Sequence, residues 1–209
     1  MAGVARSVPP LARAIAALGH HAHVLTRATD QDRVDFEDGI WVHRVIPRPT
    51  TPPVLPGGLT VPQDIWSHAA AVLGEVERIA QRRPVECVYA PLWDCEGAAI
   101  LLDGRFPVAL ELHTPMHTVV STQTRLQADA PFMASIARPI MALETRILSD
   151  AAGLRANSEA IAREIEQRYG VTLGPRLRVI PHAIEDWSGS PFAAPAPLPP
   201  GSILSLIHI

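Results

Sequence analysis

Residues 84–115 read PVECVYAPLWDCEGAAILLDGRFPVALELHTP, and this stretch decides the fold. Cys87-Val88-Tyr89-Ala90 is a short, mostly apolar run stopped by Pro91, the mark of a buried strand. Asp94 stands where it would cap a helix running through Leu102, with Glu96 in the first turn, where the helix dipole favours an acid. Val108-Ala109-Leu110-Glu111-Leu112 is a second strand, ending at His113-Thr114-Pro115. Two strands joined through a helix make the βαβ unit of a parallel sheet.

The alternation continues on both sides. Upstream, Leu11, Ile15 and Leu18 share one face at helical spacing, and Gly19 follows as a C-cap. His23-Val24-Leu25-Thr26 reads as a strand, residues 29–38 as a polar loop, and Gly39 to Val45 as a second strand. Residues 47–62 hold six prolines and the Gly57-Gly58 pair, an irregular crossing loop. An amphipathic helix over 62–83 carries Ile65, Ala69, Val72, Val76 and Ile79 in its stripe. Downstream, a loop or mobile segment runs to about Ala130, and Ser135 to Leu148 is helical despite Pro139. Gly153 to Ala156 is a strand, and Asn157-Ser158 opens a helix that Gly170 stops. Leu177-Arg178-Val179-Ile180 is the last strand, ending at Pro181-His182. The fold class is α/β, a doubly wound parallel sheet of Rossmann-like type. Ligands of such sheets bind beyond the C-terminal strand ends. Thr26, Pro91, His113, Asn157 and His182 fall at or just past such ends.

Composition excludes several classes of function. The chain has 209 residues, 47% hydrophobic and 19% charged, enough for a packed core. Its net charge of −3 leaves no basic footprint for nucleic acid. All 18 basic residues are arginine, a bias that with the many Ala, Pro and Gly residues points to a GC-rich genome. Cys87 and Cys95 fit neither a zinc knuckle nor a redox pair and are expected as reduced, intracellular thiols. No stretch reaches transmembrane length, and the N-terminus lacks the apolar run of a signal peptide.

Five stretches, in order, resemble the N-terminal domain of family 4 glycosyltransferases. They are GVARSVPPLARAIAALGHHAHVLT, PVECVYAPLWDCEGAAI, PVALELHTP, SDAAGLRANSEAIAREI and RVIPHAIEDW, spanning Gly3 to about Trp187. The resemblance implies one half of a GT-B fold, the acceptor side of a cleft whose other half holds a nucleotide-sugar. It implies retention of anomeric configuration and needs neither cofactor nor metal. Partners would be the nucleotide-sugar donor and a sugar, lipid-linked or small-molecule acceptor, in the cytoplasm, with peripheral contact at the inner face of the membrane left open.

Carried over residue by residue, the resemblance makes His113 the catalytic candidate, placed beside the reacting sugar with Thr114 next to it. Gly3 stands for a glycine loop whose amides approach the substrate, and Arg6 for a contact to phosphate or a sugar hydroxyl. Asp94 and Glu96 are candidates for acceptor hydroxyls, although an N-cap and a favourable dipole contact are the preferred account of them. Asn157 and Ser158 match the strand-to-helix turn, where capping again suffices. His182 lies in Pro181-His182-Ala183-Ile184, with Ala183 where the family has glycine. His113 and His117, separated by Pro115 and lacking a Glu partner, are not a zinc helix. The segments 47–62 and 116–132, with Val119, Val120 and Phe132, are expected to contact the acceptor, as a lipid-binding surface or a packed lid.

The ends depart from the pattern. Gly3-Val4-Ala5-Arg6 comes where an apolar first strand is expected, so the neighbours of that strand should carry unpaired edges and the chain should be poorly soluble. The domain is assigned to 1–187 and an interdomain linker to 188–203. Residues 204–209 match a translated sequencing adapter; the other reading is a strand of a following domain. The chain by itself is expected to be inactive. Two other readings remain. A dinucleotide-binding oxidoreductase domain would need G-x-G-x-x-G and a downstream acid. A non-catalytic Rossmann-like binding module would stand alone.

Overall fold

A computed structural model describes residues 2–182, with side chains from Val8 onward. Ala183, Ile184, the proposed linker and the 204–209 tail lie outside the described residues. The described chain falls into two compact units, one of residues 2–24, 35–42 and 182, the other of 25–34 and 43–181.

The chain opens with helix α1 (Ala2–Ala17). It begins well before Leu11 and contains Pro9 and Pro10, whose fixed φ suits a helix although their missing N–H groups cost hydrogen bonds. The expected apolar face is turned outward. Leu11, Ile15 and Leu18 are exposed, and the smaller Ala12 and Ala16 pack with Ala22, Val24, Ile40 and Val42. Strands β1 (His23–Arg27), β2 (Arg33–Glu37) and β3 (Ile40–Val45) form a sheet in the order β1-β3-β2. The sequence reading made β2 a loop. The overlooked signal is Asp38-Gly39, both at positive φ (50° and 82°), the turn that two-residue hairpins demand. Within the proline-rich crossing, β4 (Val54–Leu55) and β5 (Leu59–Thr60) pair antiparallel around Gly57-Gly58.

Helix α2 (Gln63–Ala80) buries Ala69, Val72, Val76 and Ile79, as its stripe requires, and also Ser67 and His68. Then come β6 (Val88–Pro91), a 3-10 turn (Trp93–Cys95), α3 (Ala98–Asp103) and β7 (Val108–Leu112). The segment expected to be a loop is three short helices, α4 (Met116–Thr122), α5 (Thr124–Ala128) and α6 (Ala130–Phe132). A π-helical turn over Met133–Ala137 leads into α7 (Arg138–Asp150), followed by β8 (Gly153–Ala156), α8 (Glu159–Tyr169) and β9 (Leu177–Val179). Strands β6-β7-β8-β9 form one parallel sheet, with Pro91 opposite Glu111 and Leu112 opposite Ala156. Its core includes the fully buried Leu92, Ile100, Leu110, Leu112, Leu143, Ile147 and Leu148. In their sheets β1 pairs only with β3 and β6 only with β7, so each has one edge unpaired among the described residues.

Gly97 shows how closely this sheet and its helix approach. A Cβ built on it would lie 2.8 Å from the Ala90 Cβ, whereas one on Gly74, inside α2, would meet nothing within 4 Å. Gly97→Ala should therefore cost about 2 kcal/mol through overpacking. Gly74→Ala should gain about 0.5–1 kcal/mol through helix propensity. Urea unfolding of the two variants checks both signs.

Candidate functional site

The parallel register brings the ends of β6, β7 and β8 to one edge of the sheet. His113 follows β7 directly and is 9% exposed, whereas Thr114 beside it is exposed. Its Nε2 lies 3.4 Å from Oε2 of Glu111, a carboxylate buried inside β7. Arg155, the register partner of Glu111 on β8, donates from Nη1 to Glu111 Oε1 at 2.5 Å and to the Tyr89 hydroxyl at 2.9 Å. The same guanidinium donates to the carbonyls of Ile180 (3.1 Å) and Pro181 (2.9 Å) beyond β9. Burial pushes the Glu111 carboxyl up, but hydrogen bonding and charge from His113, then Arg155 and Tyr89, bring it below the usual carboxylate range. Burial raises the Tyr89 hydroxyl to about 12. His113 therefore sits against a buried anion, which orients the imidazole.

The segment after His113 is pinned down. Both oxygens of buried Glu144, on α7, accept from the backbone N–H of Met116 at the start of α4, at 3.1 and 3.2 Å. The Tyr169 hydroxyl donates to the same carboxylate, and its ring packs edge-on against His117 at 4.9 Å. The Thr118 hydroxyl donates to Glu164 at 2.6 Å, and Val120 is buried. These contacts hold α4; α5 and α6 bury no residue.

Asp94 caps no helix. It lies in the left-handed region (φ 53°), as does Cys95 (φ 51°), and α3 starts only at Ala98, with Gly97 at its N-cap. The capping account fails because two left-handed residues break the helix before it begins. The Asp94 carboxylate accepts from Trp93 instead. Ser158 is a true cap, its hydroxyl accepting from Ile161 N at 3.4 Å, and Asn157 beside it is half-buried. Gly3 and Arg6 lie in α1 and not in a loop, and His182 is the last described residue. Cys87 is exposed, Cys95 is buried, and both are free. Among the described residues no group of three or more His, Cys, Asp or Glu could hold a metal, and no helix is long and apolar enough to cross a membrane. A cleft of about 540 Å³ lies away from these strand ends, along β2, β3 and α2; its Arg48 and Arg78 are paired with Asp32 and Glu75.

Residues 2–183 match the profile of the glycosyl transferase 4-like domain. The chain belongs to this glycosyltransferase family. Its fold is similar to that of a sucrose-phosphate synthase from Thermosynechococcus elongatus, with a TM-score of 0.52 and 17% identity over 86% of this chain and 85% of that one. Comparison with curated protein sequences finds no match. The family match sets aside the dinucleotide-binding oxidoreductase reading, whose glycine fingerprint the sequence also lacks. In this glycosyl transferase 4-like domain, sequence reasoning singled out His113 but not the Glu111, Arg155 and Glu144 that hold it and its loop. Charged residues inside the apolar runs VALEL and GLRA were the available signal, since a buried charge needs a partner.

The buried acids have two measurable consequences. Arg155→Ala leaves Glu111 without its cation and should cost about 3 kcal/mol, with the Glu111→Gln/Arg155→Met pair recovering most of it in urea unfolding. Burial raises the Glu144 carboxyl from 4.5 to about 7, even though Tyr169 and the Met116 N–H lower it. The folded state thus binds more protons than the unfolded chain between these values. Its stability should fall as pH rises from about 4.5 to 7, by on the order of 3 kcal/mol. Glu144→Gln should flatten that slope; equal pH slopes for the two proteins would contradict the assignment.

Proposed function

We propose that this domain is the acceptor side of a retaining glycosyltransferase that moves a sugar from a nucleotide-sugar to a sugar, lipid-linked or small-molecule acceptor in the cytoplasm. The observation that carries the reading is His113, at the C-terminal end of β7 and held by the buried Glu111–Arg155 pair. Asp94 and Glu96 follow β6, and Asn157 follows β8, on the same edge of the parallel sheet.

In the transfer, the acceptor hydroxyl oxygen bonds to the anomeric carbon while the bond from that carbon to the phosphate oxygen breaks. The hydroxyl proton passes to the leaving phosphate. His113 donates a hydrogen bond to a hydroxyl of the reacting sugar, and Glu111 supports the charge that develops on the imidazole. Helix α4, anchored through Glu144, borders this side of the site. Donor phosphate contacts are the part of a second α/β domain, facing this one across the cleft.

The test begins with the gene read across both ends of this coding segment. A continuing frame past Ser202 into a second α/β domain with a Glu-x7-Glu stretch is expected. The protein so encoded should transfer labelled sugar from a nucleotide-sugar, and His113→Ala should lower kcat by roughly 10²–10³-fold with little change in acceptor KM. A stop codon directly after Ile209, or full transfer by His113→Ala, would overturn the reading.

A further inference from the structure

Arg27, Asp64, His68, Trp93, Asp94 and Glu96 come together where β1 and β6 end. Asp94 caps nothing and keeps a left-handed backbone that a non-glycine residue adopts at a cost. The Arg27 guanidinium donates to the Asp64 carbonyl at 3.3 Å and forms no ion pair among the described residues. It lies within electrostatic reach of His68, Asp94 and Glu96. His68, on α2, is 5% exposed, with Nε2 3.7 Å from Glu96 Oε1 and a buried Nδ1 that has no hydrogen-bond partner. A ring nitrogen left in that state is costly unless a hydroxyl or water reaches it. Trp93 is half-buried and donates to Asp94.

The balance of charge indicates what the site accepts. Burial, and then Arg27, lower His68 to about 4, so it is neutral at pH 7. The carboxylates of Asp94 and Glu96 then face one guanidinium, and Asp64 lies close enough to add its charge to Asp94. Burial raises both Asp94 and Glu96; Asp64 further raises Asp94, and Asp94 further raises Glu96. Buried Glu144 and Cys95 also feel the charge of Asp94. An added anion would meet an excess of like charge. Planar polar groups beside an aromatic ring suit the hydroxyls and the C–H face of a sugar.

We propose that Arg27, Trp93, Asp94 and Glu96, above His68, bind one ring of the acceptor and select a polyhydroxylated ring that is uncharged or bears an amine, against its phosphate monoester. The inference rests on the acceptor-side reading. Asp94 and Glu96 accept from ring hydroxyls, Arg27 donates to one, and Trp93 covers a ring face.

The test uses the full chain and saturation-transfer NMR with glucose, mannose, galactose and myo-inositol, each against its phosphate monoester. At least one neutral compound should bind, and its phosphate should bind about tenfold more weakly or less. Asp94→Asn/Glu96→Gln keeps the side-chain shapes and the tolerance for a left-handed backbone at position 94, and should abolish that discrimination. Trp93→Ala should lose the neutral ligand without lowering the unfolding midpoint. The inference is overturned if phosphates bind as well as the neutral compounds, if none of the eight binds, or if the variants bind as the parent does. Failure of the acceptor-side reading shows separately, as UDP-glucose displacing the neutral ligand from the same residues.

Discussion

A carboxylate inside the middle of a parallel sheet cannot stay charged without partners, and Glu111 meets that constraint from three sides. Arg155 reaches it across the β7–β8 register, His113 from two residues along its own strand, and Tyr89 through the Arg155 guanidinium and its own hydroxyl. A mismatch of one residue between β7 and β8 would turn Arg155 to the opposite face and leave Glu111 buried alone. The ion pair therefore fixes the strand register as well as the electrostatics at the strand ends.

The parallel sheet was legible in the sequence because its strands are short apolar runs bounded by proline and glycine. Val108–Leu112 and Gly153–Ala156 are found where the alternation puts them. Helix α2 was legible too, since Ala69, Val72, Val76 and Ile79 repeat at helical spacing and are buried. The misread parts were those in which a short-range signal competes with composition. Residues 29–38 are polar enough to pass for a loop, although Asp38-Gly39 marks a hairpin. Residues 116–132 have weak periodicity because their helices are only a turn or two long, and α4 is held by Glu144, Tyr169 and Glu164, which are distant in sequence.

The site was legible in part for the same reason. His113 could be placed because it ends a strand, and strand ends are where such sheets bind ligands. Glu111 and Arg155 lie on neighbouring strands and pair only once the register is known. Asp94 was given the role of a cap because its position before Glu96 fits one. What defeats that role is backbone conformation, two consecutive left-handed residues, which residue type alone does not announce.

Arg155 serves two masters, the anion behind His113 and the carbonyls of Ile180 and Pro181 where the chain leaves the sheet. One guanidinium has a fixed fork of donors and cannot swivel to follow one set of acceptors without slackening its hold on the other. The backbone at 180–181 is therefore tethered to the electrostatics of the strand ends. A torque applied to that backbone would be felt two strands away as a change in how firmly His113 is gripped.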